Sequence, residues 1–180
     1  MSSAPHRGPT PDIIDDASKE ADMPRPTPCL WFDTDGEEAA RFYTSVFPNS
    51  RVTRTTHYGS AGPRAEGLVM TVEFELDGQP FIALNGGPEF RFDEAISFAV
   101  ECETQEELDR YWETLSDGGE QGPCGWLKDR FGVSWQIVPR VLNELVADPD
   151  REKGQRVMAA MLGMRKLEIA ALERAAAAEA

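Results

Sequence analysis

Residues 37–46 read EEAARFYTSV, and residues 106–115 read EELDRYWETL. Both stretches open with two acids, both carry an arginine at the fifth place (Arg41 and Arg110), and both continue with an aromatic pair. The apolar side chains recur at helical spacing in each stretch, which predicts two amphipathic helices. Because the two helices match along their whole length, an internal duplication is the simplest explanation of the sequence.

The same succession of elements surrounds both helices. A short apolar run suited to a strand precedes each one, and segments rich in β-branched residues or with alternating polarity follow it. Asp77 and Gly78 form a typical hairpin turn between two of these strands. We therefore predict an α+β fold of two βαβββ modules, at about 27–88 and 93–139, whose curved sheets form a partly closed barrel around a cavity. The predicted strands are 27–33, 51–58, 68–76 and 80–84 in the first module, and 95–101, 124–128 and 133–138 in the second.

The residues before each helix extend the parallel between the modules. Asp35 and Thr104 stand at the predicted N-cap positions, and Glu38 and Glu107 follow three residues later. This spacing is that of a capping box, in which the two side chains bond the free backbone amides of the first turn. We therefore expect the same local cap on both helices.

The chain divides into three parts by composition. Residues 1–24 are polar and rich in proline and acids, so they predict a disordered leader. Residues 25–140 hold the paired modules, and residues 141–180 predict a helical extension. That extension carries an apolar stripe, which must be covered by its own domain or by a second subunit. The stripe consists of Val157, Met158, Met161 and Leu162.

Charge and cysteine content exclude several classes of function. With 18 basic and 32 acidic residues, the chain has a net charge of -14, which repels phosphate backbones and anionic lipids, so we predict no nucleic-acid or membrane partner. No apolar run is long enough to cross a bilayer, and the N-terminus lacks the order of a secretion signal. Three widely spaced cysteines suit neither a disulfide framework nor a zinc site. A cytoplasmic location fits these features best.

Several phrases of the sequence resemble a known family. The duplicated module, with TPCLWFD, RFYTSVFPNSRV, AISFAVEC, CGWLKDRFGVSWQIVPR and the trailing DPDREKGQRVMAAMLGM, is similar to the vicinal oxygen chelate superfamily of glyoxalase I, bleomycin-resistance proteins and extradiol dioxygenases. Within it, the phrases look like the PhnB-like branch, which often carries a 3-demethylubiquinone methyltransferase label. The resemblance implies isomerisation, ring cleavage, thiol transfer or drug sequestration as the range of activities, and commonly a homodimer.

The resemblance also implies a divalent metal site, with one ligand from the first and one from the last strand of each module. In this sequence only one of the corresponding residues, a glutamine, is an oxygen donor of the usual kind, and one neutral amide cannot hold a dication. Of the two histidines, His6 lies in the leader and His57 late on a strand. We therefore predict no metal and no other cofactor. The corresponding positions are Pro28, Ser97 or Ala95, Ile82 or Leu84, and Gln136.

An apolar pocket is expected where the metal would lie. Period-two geometry puts Gln136 on the cavity face of the last strand and Trp135 on the helix face, and the match to the family's first-strand position puts Trp31 on the helix face as well. The predicted pocket residues are Leu30, Phe32, Phe90, Phe92, Ser97, Ala99, Trp126, Ser134 and Gln136. Weaker catalytic candidates are His57, Glu73 and Cys124.

The sequence leaves several functions open, and whether the chain is an enzyme stays undecided. The first hypothesis is a metal-free protein that binds a small, largely apolar or aromatic molecule. The alternatives are a metal-dependent isomerase, lyase or dioxygenase, a metal-free acid–base catalyst, and an acidic regulatory module. A methyltransferase is disfavoured, because no glycine-rich turn joins a parallel strand to a helix early in the chain.

Overall fold

The computed structural model describes residues 26–178, and the predicted leader lies outside them. Two four-stranded sheets form, each with its own helix. The first module holds β1 (Cys29–Phe32), α1 (Gly36–Val46), β2 (Arg51–His57), β3 (Val69–Leu76) and β4 (Gln79–Asn85). The second holds β5 (Phe98–Cys102), α2 (Gln105–Ser116), β6 (Glu120–Gln121), β7 (Trp126–Lys128) and β8 (Ser134–Pro139).

The two sheets have the same topology. Their strand orders are β1-β4-β3-β2 and β5-β8-β7-β6. In each, the first strand runs parallel to the last, and every other pair is antiparallel. The predicted α+β class and the duplicated βαβββ order are therefore confirmed. The two-residue strand β6 had no counterpart in the sequence prediction, because so short an edge strand carries no periodic signal.

The expected partly closed barrel does not form within the described chain, where the two sheets remain separate ladders. Their buried faces turn towards one shared core instead. The rings of Phe81 in β4 and Phe98 in β5 lie 5.3 Å apart, and Tyr43 of α1 lies 5.4 Å from Trp135 of β8. Because helices and buried faces fill the space between the modules, the opposite face of each sheet is left open.

A buried carboxylate joins the two modules at this core. Asp129, in the turn between β7 and β8, is 3% exposed. Its Oδ2 accepts hydrogen bonds from the Tyr43 hydroxyl (2.7 Å) and the Trp135 indole (2.8 Å). Its Oδ1 accepts the backbone amides of Phe131 and Val133. Four donors therefore satisfy one carboxylate, three from the second module and one, the Tyr43 hydroxyl, from the first.

The helix caps agree with the prediction in one module only. In α2, Thr104 accepts the amide of Glu107, although the Glu107 carboxylate bonds the amide of Glu103 rather than that of Thr104. In α1 the Asp35 side chain makes no cap, which corrects the prediction. The amide oxygen of Asn85, at the end of β4, accepts the Gly36 N–H at 2.8 Å instead.

Three helices follow the second module: α3 (Val141–Val146), α4 (Arg151–Leu162) and α5 (Ile169–Ala177). Val157 of the predicted apolar stripe is fully buried, whereas Met158 and Leu162 are 37% and 63% exposed. The domain therefore covers only part of the stripe. Between residues 26 and 178, every helix is too short or too polar to span a bilayer.

Candidate functional site

The open face of the second sheet carries a row of side chains at its middle. Trp126 of β7 pairs with Gln136 of β8, which pairs with Ala99 of β5, so all three point to the same side. Trp126 and Gln136 are half-buried, and Ala99 is exposed. The Gln136 amide donates a 2.9 Å hydrogen bond to the Ser97 hydroxyl. An apolar indole and a polar amide therefore lie next to each other on an accessible surface.

A charged row runs beside it. Lys128 pairs with Glu120 on one side and with Ser134 on the other. The Lys128 ammonium lies 2.6 Å from the carboxylate of Glu94, which belongs to the connection between the modules. This hydrogen bond and the opposite charges lower the pKa of Glu94 and raise that of Lys128. Both groups are therefore ionised at neutral pH.

Trp126 of the first row and the charged row form one wall of an open cavity of about 400 Å³, and Gln136 lies beside Trp126 on the neighbouring strand. The loop between β6 and β7 forms its rim, and the Glu94 side chain reaches over it. The cavity size suits a small organic molecule. Its lining consists of Glu94, Glu120, Gln121, Gly122, Pro123, Trp126, Leu127, Lys128 and Ser134.

A second hollow, of about 320 Å³, lies where β1 ends and the connection between the modules begins. Trp31 and Phe90 meet edge to face at 5.0 Å, and the Trp31 indole donates to the carbonyl of Gly87. Phe92 and Lys128 also line this hollow, together with two aspartates and an arginine. Because Lys128 reaches both depressions, they are neighbours on one side of the molecule.

The predicted pocket residues fall into three places. Leu30 is buried in the shared core, and Phe32 is buried there too but also borders the second hollow, where Phe90 and Phe92 lie. The largest group lies together on or beside the open face of the second sheet. This group consists of Ser97, Ala99, Trp126, Ser134 and Gln136.

Strand β1 has the opposite phase to the predicted one. Leu30 and Phe32 are buried in the core, while Trp31 lies on the open face with Leu84, its partner in β4. The prediction fixed the phase by matching Pro28 to a family position, and alternation alone cannot tell which face meets the helix. In β8 the predicted phase is correct, with Trp135 buried and Gln136 on the open side.

The three catalytic candidates lie apart. Glu73 is on the open face of the first sheet, 3.7 Å from Arg54 of β2. His57 is exposed at the end of β2, and Cys124 lies in the loop before β7 of the other module. No nucleophile and base pair up among them, so they do not form a catalytic unit within the described chain.

The positions implied for a metal do not fit one. Among residues 26–178, no three histidine, cysteine or acidic side chains cluster in a way that could hold an ion. Pro28 offers only a carbonyl, which already accepts the Ile82 amide, and Gln136 donates to Ser97. These residues present one neutral amide oxygen, whereas a dication needs several ligands. The side chains at these positions therefore do not fit a metal ion.

Three charged residues of the cavity were absent from the sequence prediction: Lys128, Glu94 and Glu120, the last on the unpredicted strand β6. Lys128 stands two residues after Trp126 in β7, so period-two spacing already placed both on one face. Glu94 reaches the cavity only because the connection between the modules folds back towards Lys128. The first could have been found from the sequence, whereas the second depends on a tertiary contact.

Comparison with known proteins identifies the family of this fold. A family model described as 3-demethylubiquinone-9 3-methyltransferase matches residues 24–138, which covers both modules and the cavity wall. The chain belongs to this family. It is the PhnB-like branch of the vicinal oxygen chelate superfamily, as the sequence resemblance predicted. The match ends just before α3, so the three C-terminal helices lie beyond the family model.

Three solved structures are similar to this chain. A putative 3-demethylubiquinone-9 3-methyltransferase, the PhnB protein of Bacillus cereus, is 35% identical, with a TM-score of 0.58 over 64% of this chain and 99% of that one. A Pseudomonas aeruginosa protein shares the fold at 18% identity, with a TM-score of 0.55 over 65% and 98% of the two chains. The fosfomycin resistance protein FosX of Listeria monocytogenes matches at 15% identity and a TM-score of 0.47, over 68% and 97%. Comparison with curated proteins found no match.

Proposed function

We propose that this PhnB-like protein binds a small, largely apolar or aromatic molecule, without a metal, on the open face of its second sheet. The observation that carries the proposal is the half-exposed indole of Trp126, which lines a cavity of about 400 Å³ and lies beside the hydrogen-bonding amide of Gln136 on the next strand. A flat apolar ring would stack on the indole, and its polar edge would reach the amide. The ligand is thus held by packing and oriented by hydrogen bonds.

The polar groups in and beside the cavity can orient a bound ligand. The Gln136 amide can donate a hydrogen bond to a ligand and accept one from it. The Ser97 hydroxyl can both donate and accept, so it can keep a hydrogen bond to Gln136 when the amide turns. Lys128 and Glu94 neutralise each other at the rim, so a ligand without a net charge can enter without leaving a lone charge unpaired. Acid–base chemistry would need a general base within reach of a bound ring. Glu73 lies on the other sheet, and of the two carboxylates that line the cavity, Glu94 is held in an ion pair by Lys128 and Glu120 stands on the edge strand β6.

A second copy of the chain would close the cavity. Each module leaves one sheet face open, and exposed apolar side chains lie in the connection between the modules, with Ile96 75% and Phe90 65% exposed. Apolar surface of this kind favours burial against a partner. We infer a homodimer in which open sheet faces meet, and light scattering should give twice the chain mass of 19.9 kDa. A monomer at micromolar concentration contradicts this inference.

The family's methyltransferase name is not carried over to this chain. A cofactor with a nucleoside and a sulfonium would need a glycine-rich turn between a strand and a helix. Here the connection from β1 to α1 is Asp33-Thr34-Asp35, and that from β5 to α2 is Glu103-Thr104.

We also infer a cytoplasmic location, in keeping with three cysteines that are all free thiols.

Thermal-shift and fluorescence titrations test the proposal with a panel of planar quinones, planar antibiotics and aromatic thiol conjugates. A compound that binds only the folded state raises the melting temperature. At a concentration of 100 times its Kd, it adds about 2.7 kcal/mol to the free energy of unfolding. We expect at least one class to do so and to quench tryptophan emission. Trp126→Ala should weaken the binding of that compound by about fivefold or more, since stacking on an aromatic contributes roughly 1 kcal/mol or more.

Phe90→Ala is the matched control, because Phe90 is an exposed aromatic of the second hollow. Affinity that falls with Phe90→Ala and stays with Trp126→Ala would move the binding site to that hollow. Failure of every compound, or near-stoichiometric metal in protein purified without a tag, would contradict the proposal. The second result would favour the metal-dependent isomerase, lyase or dioxygenase alternative.

A further inference from the structure

We propose that residues 163–169, which we name the clasp segment, position the loop that carries Trp126. The segment joins α4 to α5 and lies beyond the residues matched by the family model. It contacts the loop 122–125 between β6 and β7, which forms the rim of the cavity and leads directly into Trp126. The placement of the loop stands by itself, and its consequence for ligand binding rests on the function proposed above.

The clasp segment satisfies backbone donors that the sheet leaves free. Cys124 and Gly125 have positive φ angles of 56° and 82°, so the chain turns sharply and their N–H groups point out of the ladder. The Cys124 amide donates to the carbonyl of Met164 at 2.8 Å, and the Gly125 amide donates to that of Arg165 at 2.7 Å. Because buried amides need partners, the clasp fixes the conformation of this turn.

Side-chain packing holds the loop from the same direction. Leu167 is fully buried, and a β-carbon placed on Gly125 would lie 3.1 Å from its Cδ1 and 2.6 Å from the carbonyl of Ile137. The carbonyl of Gly125 accepts the Ile137 amide at 2.8 Å. The loop is thus clamped between Leu167 and β8, next to the residue that carries the site amide, Gln136.

The clasp is itself anchored to α2. The Gln105 side chain donates to the carbonyl of Leu167 (3.1 Å) and accepts the amide of Ile169 (2.8 Å). Lys166 lies 2.8 Å from the carboxylate of Asp109, and this hydrogen bond lowers the pKa of Asp109. Because α2 holds residues 166–169, the segment can transmit the position of this helix to the loop that Met164 and Arg165 contact. Leu167 is therefore a positioning residue, acting on the site through Trp126.

The test uses the full chain labelled with 5-fluorotryptophan and needs no ligand. The chain has four tryptophans, and Trp126→Phe identifies the resonance of Trp126. We expect Leu167→Ala to move or broaden that resonance while the other three stay in place. Leu172→Ala is the control, because Leu172 of α5 is equally buried and costs a similar amount of stability, roughly 2–5 kcal/mol.

Gln105→Glu provides a second, milder variant in case Leu167→Ala does not fold. It keeps the acceptor for Ile169 and loses the donor to Leu167 and to Asp109, so the Trp126 resonance should move in the same direction by less. For a compound that binds wild type, Leu167→Ala should weaken affinity by about fivefold, because a smaller fraction of molecules holds the loop in the conformation that binds the compound. Leu172→Ala should weaken affinity by less than about twofold.

An unmoved Trp126 resonance in folded Leu167→Ala or in Gln105→Glu overturns the clasp proposal, as does an equal shift in Leu172→Ala. These spectra are recorded without a compound, so a failed compound screen leaves the clasp proposal standing. Conversely, binding that survives a displaced loop would overturn only the link from the clasp to affinity.

Discussion

The two modules share one topology but keep their helices in place by different means. In the second module, Thr104 caps α2 from the adjacent residue. In the first, the cap of α1 comes from Asn85, 49 residues away at the end of β4. Asn85 also donates to the Val69 carbonyl and accepts the Tyr58 hydroxyl. A local cap forms with its helix, whereas a distant cap forms only once the sheet is assembled, so the first module depends more on tertiary structure.

Removing the joint between the modules should have the largest effect. Asp129→Ala leaves four buried donors without an acceptor, and each unsatisfied group costs about 1–3 kcal/mol. We expect a loss of at least about 3 kcal/mol in urea denaturation. Asp117→Ala is the control, since its ion pair with Arg130 is exposed and should change stability by less than about 1 kcal/mol. Equal losses of stability in Asp129→Ala and Asp117→Ala would contradict a structural role for the hydrogen bonds of Asp129.

The caps provide the next largest difference. Asn85→Ala removes an acceptor for Gly36 and a donor for Val69 at a site that is 6% exposed, so we expect a loss of about 2 kcal/mol or more. Thr104→Ala removes one exposed cap and should cost about 1 kcal/mol. Denaturation curves measure both. A larger loss for Thr104→Ala would reverse the comparison.

The hairpin glycines should respond alike in the two modules. Gly78 and Gly132 have φ angles of +81° and +88°, and an added β-carbon meets nothing closer than 4.0 Å at either one. Backbone strain is then the main cost of substitution, about 1 kcal/mol each for Gly78→Ala and Gly132→Ala. Melting temperatures that fall equally would support this expectation. A much larger loss at one site would point to a packing role there.

The smallest expected effect is a contrast in pH dependence. Burial raises the pKa of Asp129, so the native state keeps a proton that the unfolded chain has lost, and its contribution to stability decreases as pH rises from about 4. The pKa of Asp109 is lowered by Lys166, so its contribution is complete above about pH 4 and is lost on further acidification. The difference in free energy of unfolding between wild type and Asp129→Asn should therefore decrease as pH rises. The same difference for Asp109→Asn should increase as pH rises. Parallel slopes would contradict these assignments.

Local patterns predicted the elements well and the long-range contacts poorly. Helical spacing and the Asp77-Gly78 turn gave α1, α2 and the first hairpin almost residue by residue, because such signals act over a few positions. The phase of β1 came out reversed, since a strand alternates identically whichever face the helix covers. The predicted Asp35 cap was wrong for a related reason, as the better acceptor, Asn85, came from a distant strand.

The same division holds for the candidate site. Strand alternation and the match to the family's positions placed Gln136, Trp126 and Ser97 near one another. The spacing of Lys128 from Trp126 would have added Lys128 to the predicted pocket. Glu94 and the clasp segment could not, because their contacts join residues 34 or more positions apart along the chain.

The amino-acid sequence was enough to predict a duplicated βαβββ chain of one family, whose second module ends in a hairpin that carries both an indole and a side-chain amide. Periodicity, turn chemistry and repeated text encode those features within short windows. Only the tertiary structure decided that the two sheets share a core and remain separate, which face of β1 is open, and that a C-terminal segment secures the cavity rim. Those outcomes depend on which surfaces bury each other, and burial is a property of the whole assembled chain.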